Sequence, residues 1–157
     1  MIVTFAHTEA SLRTLIGLLV GGDQKKVLAI VSPLSFRELL SALSAQVAMA
    51  TQDPAKIQQT KNLVAKAEEI SARRNRFVHD QLVFKIEPGI VQSALYRAST
   101  KKRRLKISFE KVSIETIRHL SEEVAELSKD LVALLDAFIV EGVIPKTEAN
   151  RLMRTAS

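Results

Sequence analysis

The chain has 157 residues, enough for one domain with a sizeable core, and its balance of 46% apolar and 25% charged residues is that of a globular protein. It contains no cysteine, which excludes disulfides, thiolate metal sites and cysteine nucleophiles. The formal charge of +6 is uneven: residues 73–106 hold ten Lys and Arg against Asp80 and Glu87, so this segment carries +8 and the remainder sums to −2.

Taken in chain order, the first helical pattern runs from about Thr8 to Val20, with Leu12, Leu15, Ile16 and Leu19 on its apolar side and Gly21-Gly22 as its stop. The segment before it carries His7 and has no basic start, so it does not read as a signal peptide. Asp23 to Ile30 reads as a short second helix with Asp23 as N-cap. Ser35-Phe36-Arg37-Glu38 has the order of a capping box and opens a third helix to about Ala50, with Leu39, Leu40, Leu43 and Val47 as its stripe. Asp53-Pro54 supplies another cap and first helical position, and nothing breaks the helix before about Val78.

The pattern then changes to β-branched and aromatic residues. Leu82–Glu87, Ile90–Tyr96 and Leu105–Glu110 read as strands, with Pro88-Gly89 as a turn and the basic stretch from Arg97 to Arg104 as a link. A small antiparallel hairpin or meander inserted at about 82–110 is expected. Ser113 caps a last long helix, in which Ile117, Leu120, Val124, Leu127, Leu131, Leu134 and Phe138 alternate at spacings of three and four. Such a seam serves a bundle core or a contact with a second copy. The apolar run from Leu131 to Ile144 is interrupted by Asp136 and Glu141 and is too short to span a bilayer. The reading is a mainly α, single-domain helical bundle over 1–142 with a β insert, a loose tail at 143–157, and a soluble cytoplasmic protein without membrane contact.

Chemistry concentrates in Arg73-Arg74-Asn75-Arg76-Phe77-Val78-His79-Asp80. No HxxxH, HExxH or glycine-rich phosphate loop occurs, so neither a metal site nor a cofactor is expected. On a helix Asn75 and His79 share a face at i and i+4. An imidazole moves protons near neutral pH, and a guanidinium holds a phosphate through paired hydrogen bonds. Together they suit attack of an RNA 2′-OH on its neighbouring phosphate, a reaction that needs no metal. One such set lacks a second acid or base, and a two-fold dimer would bring another copy across a groove. The same cations also suit a helix C-terminus, where they meet the negative end of the dipole. Likewise, Lys101, Lys102, Arg103 and Arg104 suit either a solvated turn or a contact with an RNA backbone.

The order Arg74-Asn75-x-x-x-His79, late in a long helix of a helical domain, resembles the signature of the HEPN family (higher eukaryotes and prokaryotes nucleotide-binding). That resemblance implies an up-and-down bundle, a homodimer whose motifs meet in one cleft, and a metal-independent endoribonuclease. Arg74 and His79 would be its catalytic pair, with Asn75 in support. Arg73, Arg76, Lys101, Lys102, Arg103 and Arg104 would hold RNA. A toxin or defence setting, with an antitoxin or other protein partner, is implied by the same analogy. The insert at 82–110 departs from the minimal family domain, and other family members are non-catalytic dimerisation or ligand-binding modules, which is the alternative reading.

Overall fold

The computed structural model describes residues 2–79, 81–87, 90–101 and 104–147; at residues 2–4, 24, 79 and in the strands up to residue 110 it describes the backbone. These residues are mainly helical, in five helices with one small sheet. They fall into two compact units, one of Met1–Glu68 with Val124–Ser157 and one of Glu69–Glu123.

In the first unit, α1 (Ile2–Val20) packs on α2 (Gln24–Val31) and α3 (Phe36–Ala50). The caps form where the side chains allow them. Asp23 accepts from the Lys25 N–H at 3.0 Å, and Ser35 and Glu38 make the full capping box, with the Ser35 N–H bonding Glu38 at 2.7 Å. The hydrogen bonds from Ser35 hold the Glu38 carboxyl below its ordinary range. Gly21 ends α1 at φ +70°, a conformation that L side chains rarely adopt. α1 begins earlier than expected, at Ile2 rather than about Thr8. Its β-branched start is a weak helix former, but Phe5 is buried and stacks 4.7 Å from Phe36, and that packing outweighs propensity.

α4 (Pro54–His79) starts on its Asp53 cap, which accepts from the Ala55 N–H at 2.9 Å. α5 (Ile114–Val140) starts on Ser113, which accepts from the Thr116 N–H at 3.1 Å. Of the expected α5 seam, Leu120, Val124, Leu127, Leu131, Leu134 and Phe138 are buried, while Ile117, near the start of the helix, is 38% exposed. Lys56 pairs with Glu141, and Lys66 reaches Asp130 at 2.8 Å and Glu126 at 3.3 Å. The later residue on α4 meets the earlier residues on α5, so the two helices run antiparallel here. The hydrogen bond to Asp130 raises the pKa of Lys66 above its usual value, despite opposition from burial, and Glu126 adds to the rise. A part-buried hydroxyl pair, Thr8 with Ser128 at 2.7 Å, joins α1 to α5.

Where a loose tail was expected from residue 143, the chain is still packed. Gly142 turns at φ +74°, its N–H bonds Ile139 at 3.2 Å, the Ile144 N–H bonds Phe138 at 3.1 Å, and Ile144 is buried. The remainder of that expected tail, 148–157, lies outside the described residues.

In the second unit, the ends of α4 and α5 enclose a three-stranded antiparallel sheet of β1 (Gln81–Glu87), β2 (Ile90–Lys101) and β3 (Arg104–Val112), in that order. β2 pairs Phe84 with Ser93 on one side and Val112 with Ser93 on the other. The stretch expected as a link between strands is largely strand: Arg97 lies opposite Ser108, and Lys101 opposite Arg104. The backbone ladder is indifferent to side-chain charge, so a basic run can continue a strand until the turn itself interrupts pairing. The expected turn at Pro88-Gly89 lies outside the described residues.

Because Leu127 is fully buried whereas Val132 on the same helix is 49% exposed, the two truncations should differ sharply. Leu127→Ala is expected to cost about 2–5 kcal/mol in urea unfolding. Val132→Ala should stay within about 0.5 kcal/mol. Equal costs would contradict the seam as the core contact.

Candidate functional site

The octet closes α4, and the structure separates its three arginines. Arg73 Nη1 lies 2.8 Å from Glu123 Oε2 on α5, and its Nη2 lies 3.8 Å from Glu69, one turn earlier on α4. Arg73, expected as an RNA-binding cation, engages carboxylates of its own unit. Arg74 Nη1 donates to Asn75 Oδ1 at 3.0 Å, and Asn75 is exposed. Arg74 and Arg76 are half-buried.

His79 is the last residue of α4 and lies one turn beyond Asn75, so the helical period brings these two residues to one side. Arg74 and His79 are separated by about 140° around the axis. Phe77 is half-buried and Val78, next to the end of the helix, is 40% exposed. Asp80, Lys102 and Arg103 lie outside the described residues, and Lys101 and Arg104 occupy the last register position of the β2–β3 pair.

Two residues not expected from the sequence belong to this region. Glu123, with its side chain 23% exposed, also lies 3.5 Å from Nδ1 of His119, one turn earlier on α5. The spacing His119-x-x-x-Glu123 was visible as an i, i+4 pair. That Arg73 would come from another helix to share the carboxylate was not. Burial pushes the Glu123 carboxyl up and is the largest single influence, but the hydrogen bond and charge of Arg73, with those of His119, together carry it below its ordinary value. Glu123 is therefore an anion near neutral pH and serves as a fixed counter-charge between the two helices. His7 is exposed on α1, in the other unit.

Strand register also locates the helix ends. Gln81, just after α4, pairs with Tyr96, which pairs on its other side with Phe109. β3 runs on from Phe109 to Val112, opposite Ser93, before α5 begins, so the exit from α4 and the approach to α5 are offset along the strands as well as by two strand spacings of about 4.8 Å each. With Arg73 bonded to Glu123, the last two turns of α4 lie beside the first turns of α5.

Among the described residues, no three His, Cys, Asp or Glu side chains come together as metal ligands, and no helix is long and apolar enough to cross a membrane. Compared with known proteins, the chain matches no family model, no curated protein and no solved structure.

The lowered Glu123 pKa gives a pH test. Its carboxylate contributes stability above the unfolded value of 4.5, and that contribution is lost as pH falls through the lower folded value. The melting temperature of Glu123→Gln should therefore lie below that of the parent at neutral pH, and the gap should close in strong acid. A gap that persists unchanged at low pH would contradict the ionised pair with Arg73.

Proposed function

We propose that the protein is a metal-independent endoribonuclease of HEPN type, built as a helical bundle with a three-stranded insert and acting as a homodimer. The observation that carries this reading is the Arg74–Asn75 hydrogen bond at the exposed end of α4, one turn before His79. It orients a guanidinium and an amide side by side where a phosphate can approach. In the proposed reaction Arg74 binds the scissile phosphate and stabilises the charge that develops on it. His79 takes the proton of the 2′-OH as general base. Asn75 fixes the guanidinium and offers a further hydrogen bond.

The +8 segment supports an RNA substrate, because clustered cations supply sequence-blind affinity for a phosphate backbone. Arg76 and the basic end of the β2–β3 pair would follow that backbone. Arg73 would hold α4 against α5 through Glu123. In the dimer, the second copy of the motif would face the first across the bound strand.

The test is RNA cleavage by purified protein in excess chelator. The parent should cut, and Arg74→Ala and His79→Ala should each lower the rate by about 10²-fold or more. Cleavage that survives both substitutions would remove this site from the reaction. RNA bound but never cut would make the protein a binding module instead.

A further inference from the structure

The strand register sorts the cations of the second unit in a way that their order in the chain does not. In an antiparallel sheet, directly opposite residues belong to one face, and successive residues along a strand alternate between faces. β1 pairs no further than Gln81 opposite Tyr96, whereas β2 and β3 continue together from Arg97 opposite Ser108 to Lys101 opposite Arg104. Residues 97–101 and 104–108 therefore form a two-stranded ribbon that runs on past the pairing with β1.

Three rungs of this ribbon share a face: Arg97 with Ser108, Ser99 with Lys106, and Lys101 with Arg104. Every one of these rungs carries a cation and none carries an acid. The opposite face takes Ala98 with Ile107 and Thr100 with Leu105, and holds no charge. What reads in the sequence as a diffuse basic stretch is thus one cationic face, about 14 Å long at ~3.4 Å per residue and one strand spacing of about 4.8 Å wide.

Like charges gathered on so small a face repel one another, and a polyanion relieves that repulsion. A nucleic-acid duplex presents one phosphate charge per about 1.7 Å of its axis, twice the density of a single strand, so the ribbon's length spans roughly eight phosphates. Surfaces built for single strands combine cations with aromatic side chains on which bases stack. On this face the positions between the cations are Ser99 and Ser108, whose hydroxyls suit phosphate oxygens. The aromatic pair, Tyr96 with Phe109, belongs to the other face.

We propose that the ribbon face bearing Arg97, Lys101, Arg104 and Lys106 binds the phosphate backbone of double-stranded RNA. The choice of RNA over DNA rests on the ribonuclease reading; the cationic face does not, and it stands whether or not the protein cuts. Contact with the backbone alone makes the affinity blind to sequence and steeply dependent on salt.

The test is an anisotropy titration, across a salt series, of a labelled RNA duplex with 2′-O-methyl sugars, which cannot be cut by attack of the 2′-oxygen. Two double variants remove equal charge from opposite faces of the sheet. Arg97→Gln with Lys106→Gln should weaken binding about tenfold or more and lower the slope of log affinity against log salt by about 2. Lys85→Gln with Lys111→Gln, opposite Gln92 and Ala94 on the face of Tyr96, should bind within about threefold of the parent. Arg97→Lys with Lys106→Arg keeps both charges and should bind like the parent, which separates lost charge from a damaged ribbon. Equal losses from the two faces would overturn the assignment. So would a single strand bound as tightly as the duplex, a DNA duplex bound more tightly, or anionic phospholipid vesicles bound in place of RNA. Each of these leaves the ribonuclease reading intact, because cleavage is measured separately on unmodified RNA. A protein that holds the duplex through this face and never cuts RNA would overturn that reading and leave the surface standing.

Discussion

Cations on α4 meet carboxylates on α5, or directly after it, in each unit of the molecule. In the larger unit Lys56 meets Glu141 and Lys66 meets Glu126 and Asp130; in the smaller, Arg73 meets Glu123. Solvent-exposed ion pairs add little stability, about 0–1 kcal/mol each, and of these pairs only Lys56 is a buried partner. Their weight lies in register. The buried seam from Leu120 to Phe138 supplies the attraction, but apolar contact alone permits sliding by a turn. Within each unit the charged pairs favour one alignment, and in the smaller unit Arg73 meets Glu123, one turn from His119.

Much of this organisation was legible in the residues because local chemistry dictates it. Ser35 and Glu38 cap α3 as their spacing requires, Asp23 and Asp53 cap α2 and α4, and the three-and-four alternation marks the buried side of α5. Features decided by distant parts of the chain were not legible. Phe5 draws the first turn of α1 into helix by packing on Phe36, and Gly142 folds Ile144 back into the core. The basic run from Arg97 onward reads as a link by composition, yet strand pairing carries it to Lys101 opposite Arg104.

The candidate site divides in the same way. Arg74, Asn75 and His79 are legible as a motif because all three lie on one helix. Arg73 looked equivalent to Arg74 in the sequence, and only Glu123 on α5 tells them apart. One arginine fastens two helices, and its neighbour bonds the exposed Asn75 amide. The same cross-helix contact holds Glu123, the carboxylate that also lies beside the exposed His119.

The chemistry proposed for this helix end has a product signature that separates it from attack by metal-activated water. Attack by the 2′-oxygen leaves a 2′,3′-cyclic phosphate on one fragment and a 5′-hydroxyl on the other, whereas attack by metal-activated water leaves the phosphate on the 5′ end. The most direct measurement is therefore end-group analysis by mass spectrometry of RNA cut by the purified protein in excess chelator. The account predicts cyclic phosphate and 5′-hydroxyl ends; fragments bearing 5′-phosphate and 3′-hydroxyl ends would contradict it.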